Sequence, residues 1–273
     1  MSTMKIGVMA PLENGPEKEL ALVHEFGLPT CQSVCWSPDL FTQEMAARLK
    51  SAAHANGIEI TTLWVGTPGP HLWDFVHGPV SIGLVPREYR DMRVKVLKKG
   101  AEFASWLNLP SITTHAGFIP ENMTDPLYGE VVDALRDVAE YCSQLGLQFW
   151  FETGQETPVV LLRVIEELGY DNLGINLDPA NLLMYGKGNP IDALDVFGKF
   201  VKGVHAKDGE YPTNGKQLGV EKPLGEGRVN FPLLIQKLKA LHYTGALTIE
   251  REISGPQQIA DIKHAIQVLQ MLI

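Results

Sequence analysis

Leu147-Gln148-Phe149-Trp150-Phe151-Glu152 is a short apolar run that ends on a carboxylate. Three later runs repeat the design: Leu173-Gly174-Ile175-Asn176-Leu177-Asp178, Val201-Lys202-Gly203-Val204-His205 and Ala246-Leu247-Thr248-Ile249-Glu250. Each places a metal-ligating residue type where a buried strand would emerge at its C-terminal end. In a parallel barrel those ends converge on one face of the molecule. Two Glu, one Asp and one His so arranged predict a shell for a divalent cation. Any one of them alone reads more simply as a surface or capping group. Together, facing a barrel mouth, they would be costly without a shared cation to neutralise them.

The rest of the chain supports a barrel. Candidate strands cover 4–10, 30–36, 58–66, 111–117, 147–152, 172–178, 201–206 and 245–250, with helical spacing between them. In 127–146, Val131, Leu135, Val138, Cys142 and Leu145 recur every three or four residues and share one face. The last segment repeats this with Ile259, Ile262, Ile266 and Leu269. Gly27, Gly57, Gly146 and Gly169 each stand just before a strand, as left-handed residues that close helices. The strands are apolar runs rather than alternations, which suits a parallel sheet covered by helices. Eight such units in 273 residues predict a single (β/α)8 TIM barrel domain over 1–273. A doubly wound sheet lacks the Gly-rich signature expected after its first strand. Two connections, 67–86 and 207–230, exceed what a barrel needs and fall on its active face, where long loops shape or cover a site.

Composition narrows the function classes. A net charge of -9 gives no basic footprint for nucleic acid. Met4-Lys5-Ile6-Gly7-Val8-Met9-Ala10 is too short for a signal core or a membrane span, so a soluble cytoplasmic protein is the default expectation. Cys31, Cys35 and Cys142 form no C-x-x-C pair and read as buried reduced thiols. Barrels of this size often pair, which keeps a homo-oligomer open.

Phe151-Glu152-Thr153-Gly154, Asn176-Leu177-Asp178-Pro179-Ala180-Asn181, Val204-His205-Ala206-Lys207-Asp208 and Thr248-Ile249-Glu250-Arg251-Glu252 resemble the motifs of the xylose-isomerase-like TIM-barrel superfamily. Within it they are most similar to the sugar phosphate isomerase/epimerase branch, as is Pro223-Leu224-Gly225-Glu226-Gly227-Arg228-Val229. The resemblance implies metal ligation by Glu152, Asp178, His205 and Glu250, with Glu152 and Glu250 also moving protons. In the related ketose 3-epimerases the metal is usually manganese. Those enzymes carry a His three residues after the metal-binding Asp, where this chain has Asn181. An amide can bond a hydroxyl but carries no charge, so 3-epimerisation of a free hexose is less secure than the reaction class.

The implied chemistry removes a proton from carbon beside a carbonyl, through an enediolate, and returns it elsewhere. A divalent ion chelating the carbonyl stabilises the developing charge, and positioned carboxylates serve as base and acid. The oxygen-rich shell suits Mn2+ or Mg2+, and the His admits Co2+, Fe2+ or Zn2+. Three carboxylates and one ion leave about one negative charge, which fits a neutral polyhydroxylated ligand better than a bare anion. The reading is an isomerase or epimerase whose carbohydrate substrate is a ketose, an aldose or their phosphates. His115, Lys207, Arg228, Asn181 and Gln155 are candidate substrate contacts, the last beside Glu156. Trp36 and Trp64 are candidates for an apolar wall against a sugar's carbon face. His24, His54 and His264 read as outer-layer residues, and His71 and His77 lie on the long third loop.

A lyase or dehydratase acting on a keto-sugar, keto-glycoside or keto-cyclitol begins with the same proton abstraction and is the alternative. The barrel endonuclease of abasic DNA also resembles this superfamily, but it needs further strand-end histidines and a phosphate-binding surface. A non-catalytic binding barrel is the remaining reading.

Overall fold

Parallel pairing runs without a break around eight strands in the computed structural model, which describes residues 4–273. The staves are β1 (Lys5–Pro11), β2 (Thr30–Cys35), β3 (Glu59–Val65), β4 (Ser111–His115), β5 (Gln148–Glu152), β6 (Leu173–Leu177), β7 (Val201–Ala206) and β10 (Ala246–Ile249). They close in the order β1-β10-β7-β6-β5-β4-β3-β2. This is the expected (β/α)8 TIM barrel. Most strand bounds fall within one or two residues of the predicted ones, and β7 matches 201–206 at both ends.

Around the barrel lie α1 (Pro16–Glu25), α2 (Gln43–Asn56), α3 (Arg87–Trp106), α4 (Pro126–Gln144), α5 (Pro158–Leu168), α7 (Pro190–Phe197), α8 (Phe231–Ala240) and α9 (Pro256–Leu272). α5 shows how sequence sets such an element. Thr157 Oγ1 accepts from Val160 N at 3.3 Å, Pro158 fills the first turn, and Gly169 ends the helix at φ 68°. Val160, Leu161, Val164, Ile165 and Leu168 then bury one face against the sheet. Gly27, Gly57 and Gly146 are left-handed as predicted, at φ 70°, 65° and 72°. Asn108 and His242, both at φ 57°, make the same turn after α3 and α8 without glycine.

Three details depart from the sequence reading. An additional short helix, α6 (Pro179–Met184), follows β6 directly. The 207–230 connection carries a two-stranded antiparallel ladder, β8 (Asp208–Gly209) with β9 (Glu221–Lys222). Ile259, predicted on the buried face of the last helix, is 40% exposed, whereas Ile262, Ile266 and Leu269 are buried. The three cysteines are buried and unbridged. Among the described residues no helix is long and apolar enough to cross a membrane.

The long third loop is pinned rather than loose. Arg93 of α3 is fully buried and donates to Pro68 O and Pro70 O at 3.0 Å each and to Gly83 O at 2.6 Å. Arg90 adds bonds to Leu84 O and Val85 O, both 2.7 Å. Arg93→Met should therefore cost about 2–4 kcal/mol, since three loop carbonyls, that of Gly83 buried, lose a charged donor. Hydrogen exchange should show faster amides across 67–86; unchanged protection would remove the anchoring role.

Candidate metal centre

Glu152 is the last residue of β5, Asp178 and Glu250 directly follow β6 and β10, and His205 is the penultimate residue of β7. These four strands are neighbours around the barrel, so the four side chains rise from one half of its mouth. One ligand atom from each lies within 4.8 Å of all the others. Two donors bonded to one ion at roughly 2.0–2.2 Å stand at most about 4.4 Å apart, so the cluster is within a few tenths of an ångström of coordination.

Local structure aims each ligand. Asp178 is the N-cap of α6, and its Oδ1 accepts from Asn181 N at 2.8 Å. That leaves Oδ2 turned to the cluster, buried and without a hydrogen-bond partner. Thr153 Oγ1 fixes the backbone there, accepting from Asp178 N at 2.8 Å and donating to Asp178 O at 2.9 Å. His205 Nδ1 faces Glu250 Oε2 at 3.0 Å, Glu152 Oε1 at 3.4 Å and Asp178 Oδ2 at 3.7 Å. His205 Nδ1 and Glu250 Oε2 are also buried without a hydrogen-bond partner. Three buried ligand atoms that make no hydrogen bond and point at one spot are what a cation would satisfy, and the residue types fit a divalent metal.

Behind His205, Gln32 and Asn176 surround Nε2. A protonated Nε2 donates to Gln32 Oε1 at 2.9 Å, whereas a bare one accepts from Asn176 Nδ2 at 2.8 Å. Gln32 Nε2 in turn donates to Asn176 Oδ1 at 3.0 Å. A cation on Nδ1 requires the proton on Nε2, the form that Gln32 accepts. Gly203 makes room for this network, because a Cβ there would lie 2.3 Å from Asn176 Oδ1.

Of the other predicted residues, Trp64 donates from Nε1 to Glu152 Oε2, and His115 Nε2 lies 3.5 Å from Glu152 Oε1. Asn181 Nδ2 donates to Glu152 Oε1 at 3.2 Å. Lys207 is buried, its Nζ 3.1 Å from Glu252 Oε1, 3.3 Å from Glu250 Oε2 and 3.5 Å from Asp178 Oδ2. Gln155 and Glu156 are buried with no side-chain polar atom satisfied. Burial pushes the Glu156 carboxyl up to about 8, so at neutral pH it is largely a neutral acid and a donor. Trp36 stands one residue beyond β2, 41% exposed, its ring 4.9 Å from that of Trp64. Arg228 is not brought into the cluster. Its side chain is exposed and makes no ion pair among the described residues.

Sequence reading gave no role to Gln32, Asn176, Glu252 or Trp73, and placed His71 on the long third loop without one. His71 and Trp73 line a pocket with Trp36, Trp64, Thr67 and His115, opposite the ligand half of the mouth. Phe75 N donates to Lys216 O at 3.3 Å, which joins the two long loops. Of these, only Glu252 carried a legible signal, two residues after Glu250 and hence on the same side of an extended chain.

The charges are interdependent. Burial works against the charge on His205, but Glu250 and Glu152 outweigh it and hold the imidazole protonated well above its usual range. Burial likewise opposes Lys207, yet Glu250, Glu252 and Asp178 keep it charged. Burial would raise Glu152 and Glu250. His115 and His205 reverse that for Glu152, and Lys207 and His205 do so for Glu250, leaving both carboxyls low. Asp178 stays raised by burial despite Lys207 and His205. In the ion-free protein the His205 proton stands in for the cation. Metal binding at neutral pH should then release about one proton per ion and tighten as pH rises. Calorimetric titration in two buffers of unlike ionisation enthalpy measures this; equal heats in both would contradict it.

The chain belongs to the xylose isomerase-like TIM barrel family, whose model matches residues 20–272. An uncharacterized protein from Methanocaldococcus jannaschii is 27% identical over 194 residues, 65% of this chain. That match spans 64% of the relative's own length, less than two thirds of it. A solved xylose isomerase domain protein from Planctomyces limnophilus is 36% identical, with a TM-score of 0.94 over 99% of this chain and 97% of that one. The 3-keto-D-glucoside 4-epimerase of E. coli shares the fold at TM-score 0.73 and 19% identity, over 98% and 100% of the two chains.

Proposed function

We propose that this protein is a divalent-metal-dependent sugar isomerase or epimerase, with manganese as the working ion. The observation that carries the reading is the convergence of Glu152, Asp178, His205 and Glu250, three of them with unsatisfied atoms turned to one point. When bound, the ion supplies Lewis-acid stabilisation of charge developing on a substrate oxygen. Glu152 and Glu250 are the base and acid for the carbon-bound proton. Both start ionised, so whichever takes the carbon-bound proton becomes the acid that returns it, and Glu152 is oriented by Trp64, His115 and Asn181.

Asn181, Lys207, His115 and Gln155 bond the substrate's oxygens, and Trp36 and Trp64 cover its carbon face. The substrate is neutral. Within the cluster Lys207 is already shared among three carboxylates and Arg228 lies outside it, which favours a neutral ligand over a phosphate there.

The test is incubation of manganese-loaded protein with ketoses, ketose phosphates and keto-glycosides in deuterated water. Deuterium on one carbon with unchanged molecular skeleton supports isomerisation or epimerisation, whereas loss of water or an aglycone means the lyase. No deuterium uptake from any of them would leave a binding protein.

A further inference from the structure

The first and last staves meet where β1 pairs with β10, and the helices that follow them, α1 and α9, stand apart over that seam. Between them is a cavity of about 610 Å3, lined by both helices and by the strand ends. Its size is that of a small-molecule site.

The two ends of this cavity differ. At one end it is bounded by Met9, Trp36 and Glu250. Met9 pairs with Gln32 in the sheet register, so both side chains lie on the inward face of the barrel beside His205. That end therefore opens on the metal centre. The other end passes over the tips of β1 and β10 to the outer face, where Val8 pairs with Ile249. There the walls are Leu22 and Val23 of α1 and Phe26 just after it, with Ile259 and Ile262 of α9. This explains the exposure of Ile259: its helical face points inward as the periodicity predicts, but α1 does not come close enough to cover it.

Asn14, Lys18 and Glu19 line the cavity on the α1 side, and Arg251, Glu252 and Gln258 on the α9 side. Glu19 is engaged by Asn14 Nδ2 at 3.0 Å, and Lys18 is an exposed side chain. Arg251 is held by Glu221 and Asp261, and Glu252 by Lys207, so the charges on the α9 side are already paired. Apolar walls against water are unfavourable, and covering them favours an occupant of matching character.

We infer that the cleft receives an apolar alkyl or aryl aglycone, carried on the same molecule whose sugar sits at the metal. The substrate is then a glycoside or similar conjugate rather than a free monosaccharide. This deepens the proposed function and rests on its placement of the sugar, but it is read out by binding alone.

The experiment titrates the full-length, manganese-loaded protein with methyl, phenyl and octyl β-D-glucopyranosides, the last below its micelle concentration. Calorimetry gives the affinities. The octyl and phenyl glycosides should bind at least tenfold more tightly than the methyl one. Ile259→Trp, which fills the cleft, and Ile259→Asp, which charges it, should each erase that preference and leave the methyl affinity unchanged. Both changes are at a half-exposed position and leave the core intact. Equal affinities for the three glycosides, no detectable binding of the two larger ones, or a preference that survives in both variants would overturn the inference. Failure of deuterium exchange on every sugar would sink the isomerase reading and leave the aglycone preference as a separate result.

Discussion

Glu152→Gln and Glu250→Gln should each slow solvent-deuterium exchange into a responsive ketose or keto-glycoside by about 10²–10⁴-fold, the span of positioned acid–base catalysis. The substitution keeps shape and one oxygen but removes the ability to accept a proton. Each glutamate is also a candidate ligand, so the same change weakens the ion's hold. The two effects separate by metal titration. If loss of the ion were the whole cause, exchange would recover as manganese is raised to saturation. If the carboxylate moves the proton, exchange stays low at full occupancy, verified by metal analysis. The double variant should be little worse than the poorer single one, because an acid and a base acting on one substrate are not additive. Exchange at the parental rate in either saturated variant would remove that residue from the proton path.

Much of this was legible before any coordinates. Apolar runs broken by glycine marked the eight staves, because a strand buried on both faces must be apolar throughout. A left-handed C-terminal turn most often selects glycine. The four strand-end ligands were legible for a related reason: polarity at the tip of an apolar run is informative where polarity on a surface is not. Gln32 was not, because its meaning depends on register. It lies mid-strand between Cys31 and Ser33, and only the pairing of β1 with β2 shows that it faces inward toward His205. Asn176 was quoted as part of a motif, yet its role depends on the missing Cβ at Gly203 on the neighbouring strand. His71 and Trp73 reach the mouth through a loop held by Arg93, a long-range anchor with no periodic signature. Asn108 and His242 took turns that composition assigns to glycine. Ile259 shows the opposite limit, where correct periodicity met a position on α9 that α1 leaves uncovered.

Lys207→Met should destabilise the ion-free protein by about 3–5 kcal/mol, the cost of breaking a buried ion pair by removing one partner. Lys207 compensates Asp178 and Glu250, both buried or nearly so. Glu252 is 57% exposed, and its share is discounted for solvent screening. Without the ammonium, His205 alone faces three carboxylates. The pH dependence has a definite sign. Glu250 is depressed in the folded protein, with Lys207 a principal cause, so its stabilising effect is present above the ordinary carboxylate range and is lost as pH falls through its lowered value. Lys207 is raised, so its own contribution holds below its ordinary range and is lost only as pH climbs through the higher folded value. The gap between parent and variant should therefore be widest near neutral pH and narrow in acid. Saturating manganese should narrow it too, because the ion restores positive charge beside the same oxygens. Denaturant unfolding in chelator and in manganese, at pH 7 and at a pH well below the ordinary carboxylate range, measures all four states. A variant as stable as the parent in chelator at pH 7 would mean that the ammonium does not hold the empty cluster together.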